Sequence, residues 1–160
     1  MIYSYQPIWR DDAQSLILGT MPSVKSLEAG FYYAHPRNAF WPIMAEVLGA
    51  PRPEGAQEKA ALLRENRIAL WDVLESCVRE GSLDANILSP SPNDIPWLLA
   101  RCPAINRIFF CGTAAGQLYR RYFGHVLVKT VLLPSTSPAN TMPYQQKLAA
   151  WRAAFEEAIP

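Results

Sequence analysis

Three consecutive aromatics, a histidine and an asparagine crowd into Phe31-Tyr32-Tyr33-Ala34-His35-Pro36-Arg37-Asn38, a stretch with neither a helical nor a strand period. Histidine exchanges a proton near neutral pH, and an asparagine amide both donates and accepts without carrying charge. Residues of these types, following the apolar run Ser15-Leu16-Ile17-Leu18 and Gly19, form the kind of excursion in which an α/β protein holds its ligand. A second segment, Leu133-Pro134-Ser135-Thr136-Ser137-Pro138-Ala139-Asn140, brackets three hydroxyls between prolines. Proline fixes φ, and hydroxyls with free backbone N–H groups are phosphate-contacting chemistry; a solvent-exposed turn has the same composition. Gly112-Thr113-Ala114-Ala115-Gly116 could hold an anion at a helix start or serve only helix–sheet packing, and it lacks the lysine of a P-loop. Cys77, Cys102 and Cys111 are odd in number and widely spaced, which reads as buried thiols and not as a disulfide framework or metal site.

These segments need a scaffold, and the apolar runs supply one. Ser15 to Gly19, Ile68 to Val73, Arg107 to Gly112 and Val126 to Leu133 read as strands buried on both faces of a parallel sheet. Between and after them, Trp41 to Leu48, Glu54 to Asn66, Asn93 to Arg101, Thr113 to Phe123 and Tyr144 to Ala158 carry helix starts and stops. Alternation of this kind predicts an α/β fold, a three-layer α/β/α sandwich with a central, mainly parallel four-stranded sheet. The ligand crevice of such a sheet lies beyond the carboxyl ends of its strands. Four segments leave those ends: 19–41, 72–86, 112–116 and 133–140.

With 160 residues, half of them hydrophobic and 18% charged, the chain is expected to be one domain, 1–160, that is soluble and cytoplasmic. The net charge is +1, yet from Arg101 onward seven Lys or Arg face only Glu156 and Glu157. A basic half suits a phosphate-rich partner, and a solvated helix face explains such charges as well.

Taken together, Gly19-Thr20-Met21-Pro22-Ser23, Tyr32 to Trp41 and Leu133 to Asn140 resemble the motifs of the uracil-DNA glycosylase superfamily, most closely its hypoxanthine-DNA (deoxyinosine) glycosylase branch. Leu70-Trp71-Asp72-Val73-Leu74, Gly81-Ser82-Leu83-Asp84 and Pro92-Asn93-Asp94-Ile95 are similar to that branch too. The resemblance implies a monofunctional enzyme that flips a deaminated purine, chiefly hypoxanthine with xanthine as a further candidate, out of DNA and hydrolyses its N-glycosidic bond. It implies no cofactor, no metal, no membrane and no obligate protein partner, and a monomer acting on DNA that contains deaminated bases. A uracil-excising enzyme and a catalytically silent DNA-binding module of the same fold are the alternatives.

Two departures from the wider superfamily redirect the site. Met21 stands where relatives place a catalytic amide or carboxylate, and Ser23 replaces the motif's last glycine. By analogy with the branch, catalysis passes to Asn38, whose carbonyl would orient water near C1′. His35 would protonate purine N7, or else lock a His-Pro turn through a backbone hydrogen bond. The resemblance further implies that Gly19, Thr20, Met21, Tyr33, Phe40 and Asp72 bind the base, with Tyr33 stacking on it and Thr20 and Met21 donating backbone N–H groups. Asp72 would accept from purine N1–H or cap the following helix. Ser135, Thr136, Ser137 and Asn140 would meet the DNA, the first two on phosphate. No bulky wedge is evident in that loop unless Met142 or Tyr144 reaches in. Lys25 and Lys129 are the lysines weighed for a lyase step, and Lys25 and Arg37 are the basic residues nearest the motifs.

Overall fold

The computed structural model describes residues 1–158. Four strands, β2 (Ser15–Gly19), β3 (Ile68–Asp72), β6 (Arg107–Cys111) and β7 (Lys129–Leu133), form an all-parallel sheet in the order β3-β2-β6-β7. Side chains alternate across it. Ile17, Leu70 and Phe109 enter one core with Phe40, Ile43, Leu63 and Trp151, whereas Leu16, Leu18, Ala69 and Phe110 enter the other with Leu98, Ala115 and Tyr119. The first face is covered by α2 (Phe40–Val47), α3 (Gly55–Glu65) and α6 (Tyr144–Ala158), the second by α4 (Ile95–Arg101) and α5 (Thr113–Phe123). Both faces of the sheet are therefore dry, which is why its strands read as continuous apolar runs. The expected α/β/α sandwich is the fold observed.

Three elements depart from the sequence reading. Segment 19–41 contains a helix, α1 (Val24–Ala29), capped by Ser23 Oγ accepting from Ser26 N and closed by Gly30 at φ +76°. Six residues are too few to display a helical period. Residues 74–92 form most of a second, antiparallel sheet, β1-β4-β5, from β1 (Ile2–Tyr3), β4 (Leu74–Val78) and β5 (Leu88–Pro92). β5 reads Leu-Ser-Pro-Ser-Pro, and two prolines argue against a central strand; it lies at a sheet edge, where proline is tolerated. The last parallel strand starts at Lys129 and not at Val126, and Leu127 is 97% exposed.

Where β3 turns into β4, one side chain holds both sheets. Asn93 is buried, and its Nδ2 donates to Asp72 O (2.8 Å), Leu74 O (3.1 Å) and Ser4 Oγ (3.2 Å), while its backbone N donates to Val73 O (2.8 Å). Removing that amide leaves buried carbonyls without donors, each at a cost of about 1–3 kcal/mol. Asn93→Ala is expected to lower unfolding free energy by about 2–4 kcal/mol, read as a fall in urea midpoint at unchanged slope.

Candidate active site

The carboxyl ends of the four parallel strands converge on one cavity of about 230 Å³, smaller than drug-sized pockets and suited to a single small flat ligand. Gly19 ends β2 and stands in register with Asp72 at the end of β3, Cys111 ends β6, and the 134–140 loop follows β7. Most of the expected residues line it together: Gly19, Thr20, Met21, Tyr33, His35, Asn38, Asp72, Ser135, Thr136 and Ser137. Among the described residues no three His, Cys, Asp or Glu are grouped to hold a metal ion.

Tyr33 is the centrepiece of the floor. It is a bulky residue in the left-handed region, φ +52°, a conformation costing about 1–3 kcal/mol that persists where surrounding contacts over-determine it. Its ring stacks on Phe40 at 4.2 Å between centroids, and its buried hydroxyl has no hydrogen-bond partner among the described residues. A Cβ added at Gly19 would lie 2.5 Å from that hydroxyl and 2.6 Å from Asp72 Oδ1. Only glycine leaves room for the two polar tips. Burial first, then the neighbouring Cys111 and Asp72, push the phenol well above its ordinary range, so it stays a neutral donor.

Asp72 is 3% exposed, and its Oδ2 has no hydrogen-bond partner either. Burial, reinforced by Asp84 and opposed by Arg79, raises its pKa to about 7. Near neutral pH it is both carboxylic acid and carboxylate, able to donate as well as accept, where sequence alone reads an acceptor. Its position at a strand end, with its carboxyl group on the cavity wall, excludes the helix-cap alternative. Two buried polar atoms on one cavity floor, with no partner among the described residues, are open to a ligand's hydrogen bonds.

The His-Pro-Arg-Asn turn is self-braced. Arg37 N donates to His35 Nδ1 (3.0 Å), and Asn38 N donates to His35 O (2.9 Å). Because Nδ1 accepts, the hydrogen-bond network assigns the ring proton to Nε2. The locked turn weighed for His35 is therefore present, with one N–H remaining to offer. Asn38 Oδ1 accepts from Phe40 N (2.9 Å), which fixes the amide at the start of α2 and leaves a second lone pair and two N–H groups.

The 134–140 loop is stiffened from within and beneath. Ser137 N donates to Ser135 Oγ, Asn140 Nδ2 to Ser135 O, Ala39 N to Thr136 O and Trp151 Nε1 to Pro134 O. Lys147, counted among surface charges from sequence, is only 5% exposed and donates to Ser137 O (3.2 Å); burial lowers its pKa. Gly112, at φ +99°, would set a Cβ 3.1 Å from Ser135 Cβ, and its N–H is bonded to Leu133 O. That glycine, like Gly116 against Phe110, serves packing and not an anion.

Two expected ligand contacts need correcting, and a third expected residue is found as a brace. Phe40 is fully buried and lies beneath Tyr33, so it supports the stacking residue and does not line the cavity. Thr136 is also fully buried, with Oγ1 3.6 Å from Cys111 Sγ, so its hydroxyl cannot reach a phosphate from there. Asn140 is occupied as a brace, its Oδ1 accepting from Met142 N, and lies outside the cavity lining. Of the lysines weighed for a lyase step, Lys129 sits at the far end of β7 from the cavity and Lys25 pairs with Glu28 on the surface.

One whole wall is marked in the sequence only as a motif, with none of its residues assigned to the site. Ser82, Leu83 and Asp84 line the cavity from the β4–β5 connection. Arg79 Nη2 donates to Pro22 O (2.6 Å) and Ser82 Oγ accepts from Val24 N (2.9 Å), tying this lip to the first motif. Its signals were membership of segment 72–86 and the motif Gly81-Ser82-Leu83-Asp84, since nothing in an arginine's type tells which carbonyl it will find.

Residues 7–159 match the family model described as the Uracil DNA glycosylase superfamily. The chain is 35% identical over 146 residues to a protein of Methanosarcina acetivorans named hypoxanthine DNA glycosylase, a match spanning 91% of this chain and 92% of the relative. It is 29% identical over 153 residues to a Methanosarcina barkeri protein of the same name, spanning 95% and 96%. A solution NMR structure from Methanosarcina acetivorans, provisionally named a uracil DNA glycosylase, superposes with a TM-score of 0.85 at 31% identity, covering 98% of this chain and 97% of that one.

Two stability measurements test the cavity floor. Gly19→Ala is expected to lose about 1–3 kcal/mol by urea unfolding, because a methyl group must displace Tyr33 and Asp72. Asp72 binds its proton more tightly folded than unfolded, where it titrates near 3.8, so its contribution is full below about pH 4 and lost as pH rises through about 7. Between those limits the parent should lose on the order of 4 kcal/mol relative to Asp72→Asn, measured as the difference of the two stability–pH curves.

Proposed function

Because the chain belongs to the uracil DNA glycosylase superfamily, its model matching from residue 7 to residue 159, we propose that this protein excises hypoxanthine from DNA by hydrolysing the N-glycosidic bond of a flipped deoxyinosine. The substrate is double- or single-stranded DNA containing deaminated purine, and the protein acts as a monomer without cofactor. Two relatives named hypoxanthine DNA glycosylase support the choice of base. The observation that carries it in this chain is the pair of unpartnered buried atoms, Asp72 Oδ2 and Tyr33 Oη, on the floor of a cavity sized for one base.

The chemistry follows from those groups. A flipped purine stacks against Tyr33, whose opposite face rests on Phe40. Hypoxanthine presents an N1–H donor beside a C6 carbonyl, and a protonated Asp72 answers both, accepting from N1–H and donating to O6. Ionised, Asp72 only accepts. Adenine has no N1–H, and guanine adds an amine that would need a further acceptor. As the C1′–N9 bond breaks, its electron pair goes to the purine, and donors aimed at the base stabilise the charge: Thr20 and Met21 backbone N–H groups and the remaining N–H of His35. Positive charge develops at C1′, and water held by the free lone pair of Asn38 Oδ1 adds there and then loses its proton to solvent. An oxocarbenium-like centre needs an oriented water more than a strong base, so an amide suffices.

The test is a strand-scission assay on duplexes carrying one inosine, xanthosine or uracil, with alkali to break the abasic site. Scission at inosine exceeding that at uracil is expected; no scission at inosine, or preference for uracil, overturns the reading. Asn38→Ala should slow excision by about 10²–10³-fold. Because it also removes the acceptor for Phe40 N–H, worth about 1 kcal/mol, the rate is compared at a temperature where both proteins are folded.

A further inference from the structure

Extruding a base leaves a gap in the stack, and DNA-bending proteins hold such gaps open with apolar side chains inserted between base steps. The two lips of the cavity differ sharply in what they could insert. The 135–139 lip offers only Ser135, Ser137, Pro138 and Ala139; beyond it Met142, 38% exposed, stands off the cavity lining, and the Tyr144 hydroxyl is bound to Glu46. The opposite lip carries Leu83, which lines the cavity mouth and is 56% exposed. Of the other large side chains on the lining, Met21 and Tyr32 are buried, and Tyr33 lies on the floor with its hydroxyl buried.

A single exposed leucine is ordinary on a protein surface; this one differs in how it is held. Arg79 donates to Gly81 O (2.7 Å) and to Pro22 O (2.6 Å), Ser82 Oγ accepts from Val24 N (2.9 Å), and Asn86 N donates to Leu83 O (3.0 Å). Gly81 takes φ +68° to make the turn, and a 3-10 turn, Asp84–Asn86, follows at once. The neighbouring Asp84 lines the cavity, its charge acting on Asp72. Leucine is thus braced from both sides and packed on by neither core.

The geometry points to Leu83 as the wedge that enters the duplex stack where the flipped base has left, supplied by the β4–β5 lip and not by the 135–139 loop. The assignment rests on the base-excision reading, and its partner is duplex DNA. In single strands there is no opposing base and little stack to hold open, so the wedge matters there far less.

The deciding experiment pairs two readouts on the parent protein, Leu83→Ala and Leu83→Met. In the first, a duplex carries 2-aminopurine beside deoxyinosine, and its fluorescence rises when the neighbouring base unstacks. The parent and Leu83→Met should raise it, and Leu83→Ala should need about tenfold more protein for the same rise. In the second, the ratio of duplex to single-strand excision rates should fall about tenfold for Leu83→Ala and be restored by Leu83→Met. Equal fluorescence for parent and Leu83→Ala, or equal slowing on both substrates, overturns the wedge. Should the parent excise no hypoxanthine at all, the base-excision reading fails while the fluorescence arm still decides whether Leu83 enters the stack.

Discussion

At the end of β2, the bare Cα of Gly19 faces two polar tips, the Tyr33 hydroxyl and the Asp72 carboxylate, that occupy the space a side chain would need. That close approach brings three segments distant in sequence within reach of one another. Tyr33 accepts a left-handed backbone to be there, and Phe40 is pinned beneath it. Asp72 is in turn held by its backbone, whose carbonyl is clamped by Asn93 from the second sheet. The strained tyrosine, the buried acid and the clamp are one arrangement, in which the clamp joins the two sheets and the other two floor the cavity.

The walls obey a different rule: they are fixed by hydrogen bonds to backbone and not by packing. The serine- and proline-rich loop is bound to the Asn38 turn through Ala39 and Thr136, to α6 through Trp151 and Lys147, and to itself through Ser135 and Asn140. Lys147 is an ammonium out of water with one carbonyl as its described acceptor, an uncomfortable position that leaves positive charge directly under a loop facing the cavity. A site whose walls are this constrained is preorganised, so binding loses little to loop ordering.

Much of this was legible in the sequence, and the limits have physical causes. The parallel sheet declared itself because strands buried on both faces must be apolar throughout, and Gly19–Trp41 and Leu133–Asn140 stood out as the polar excursions such strands feed. Tyr33, Asn38, Asp72, Ser135 and Ser137 reached the cavity as expected. Phe40 did not, because residue type does not distinguish an aromatic on a cavity floor from one beneath it; Thr136 lines the cavity but turns its hydroxyl to a buried thiol, which residue type does not foretell either. Lys147 misled for the same reason: burial of a charge depends on a carbonyl ten residues away. The β4–β5 lip showed as a motif, Gly81-Ser82-Leu83-Asp84, and not as a wall, because β5 is built from prolines and serines, whose use in a strand depends on lying at an edge that only the assembled sheet defines.

One consequence of the strand order concerns how the molecule comes into being. The cavity draws on strand ends at residues 19, 72, 111 and 133, and its last loop is fastened by Trp151 and Lys147 of the final helix. Contacts so far apart along the chain form slowly, since loop-closure entropy is spent before any of them is rewarded. On a ribosome the first motif therefore emerges more than a hundred residues before the helix that fastens its partner loop, and until then neither wall has anything to close against. The site is complete only once the final helix is in place.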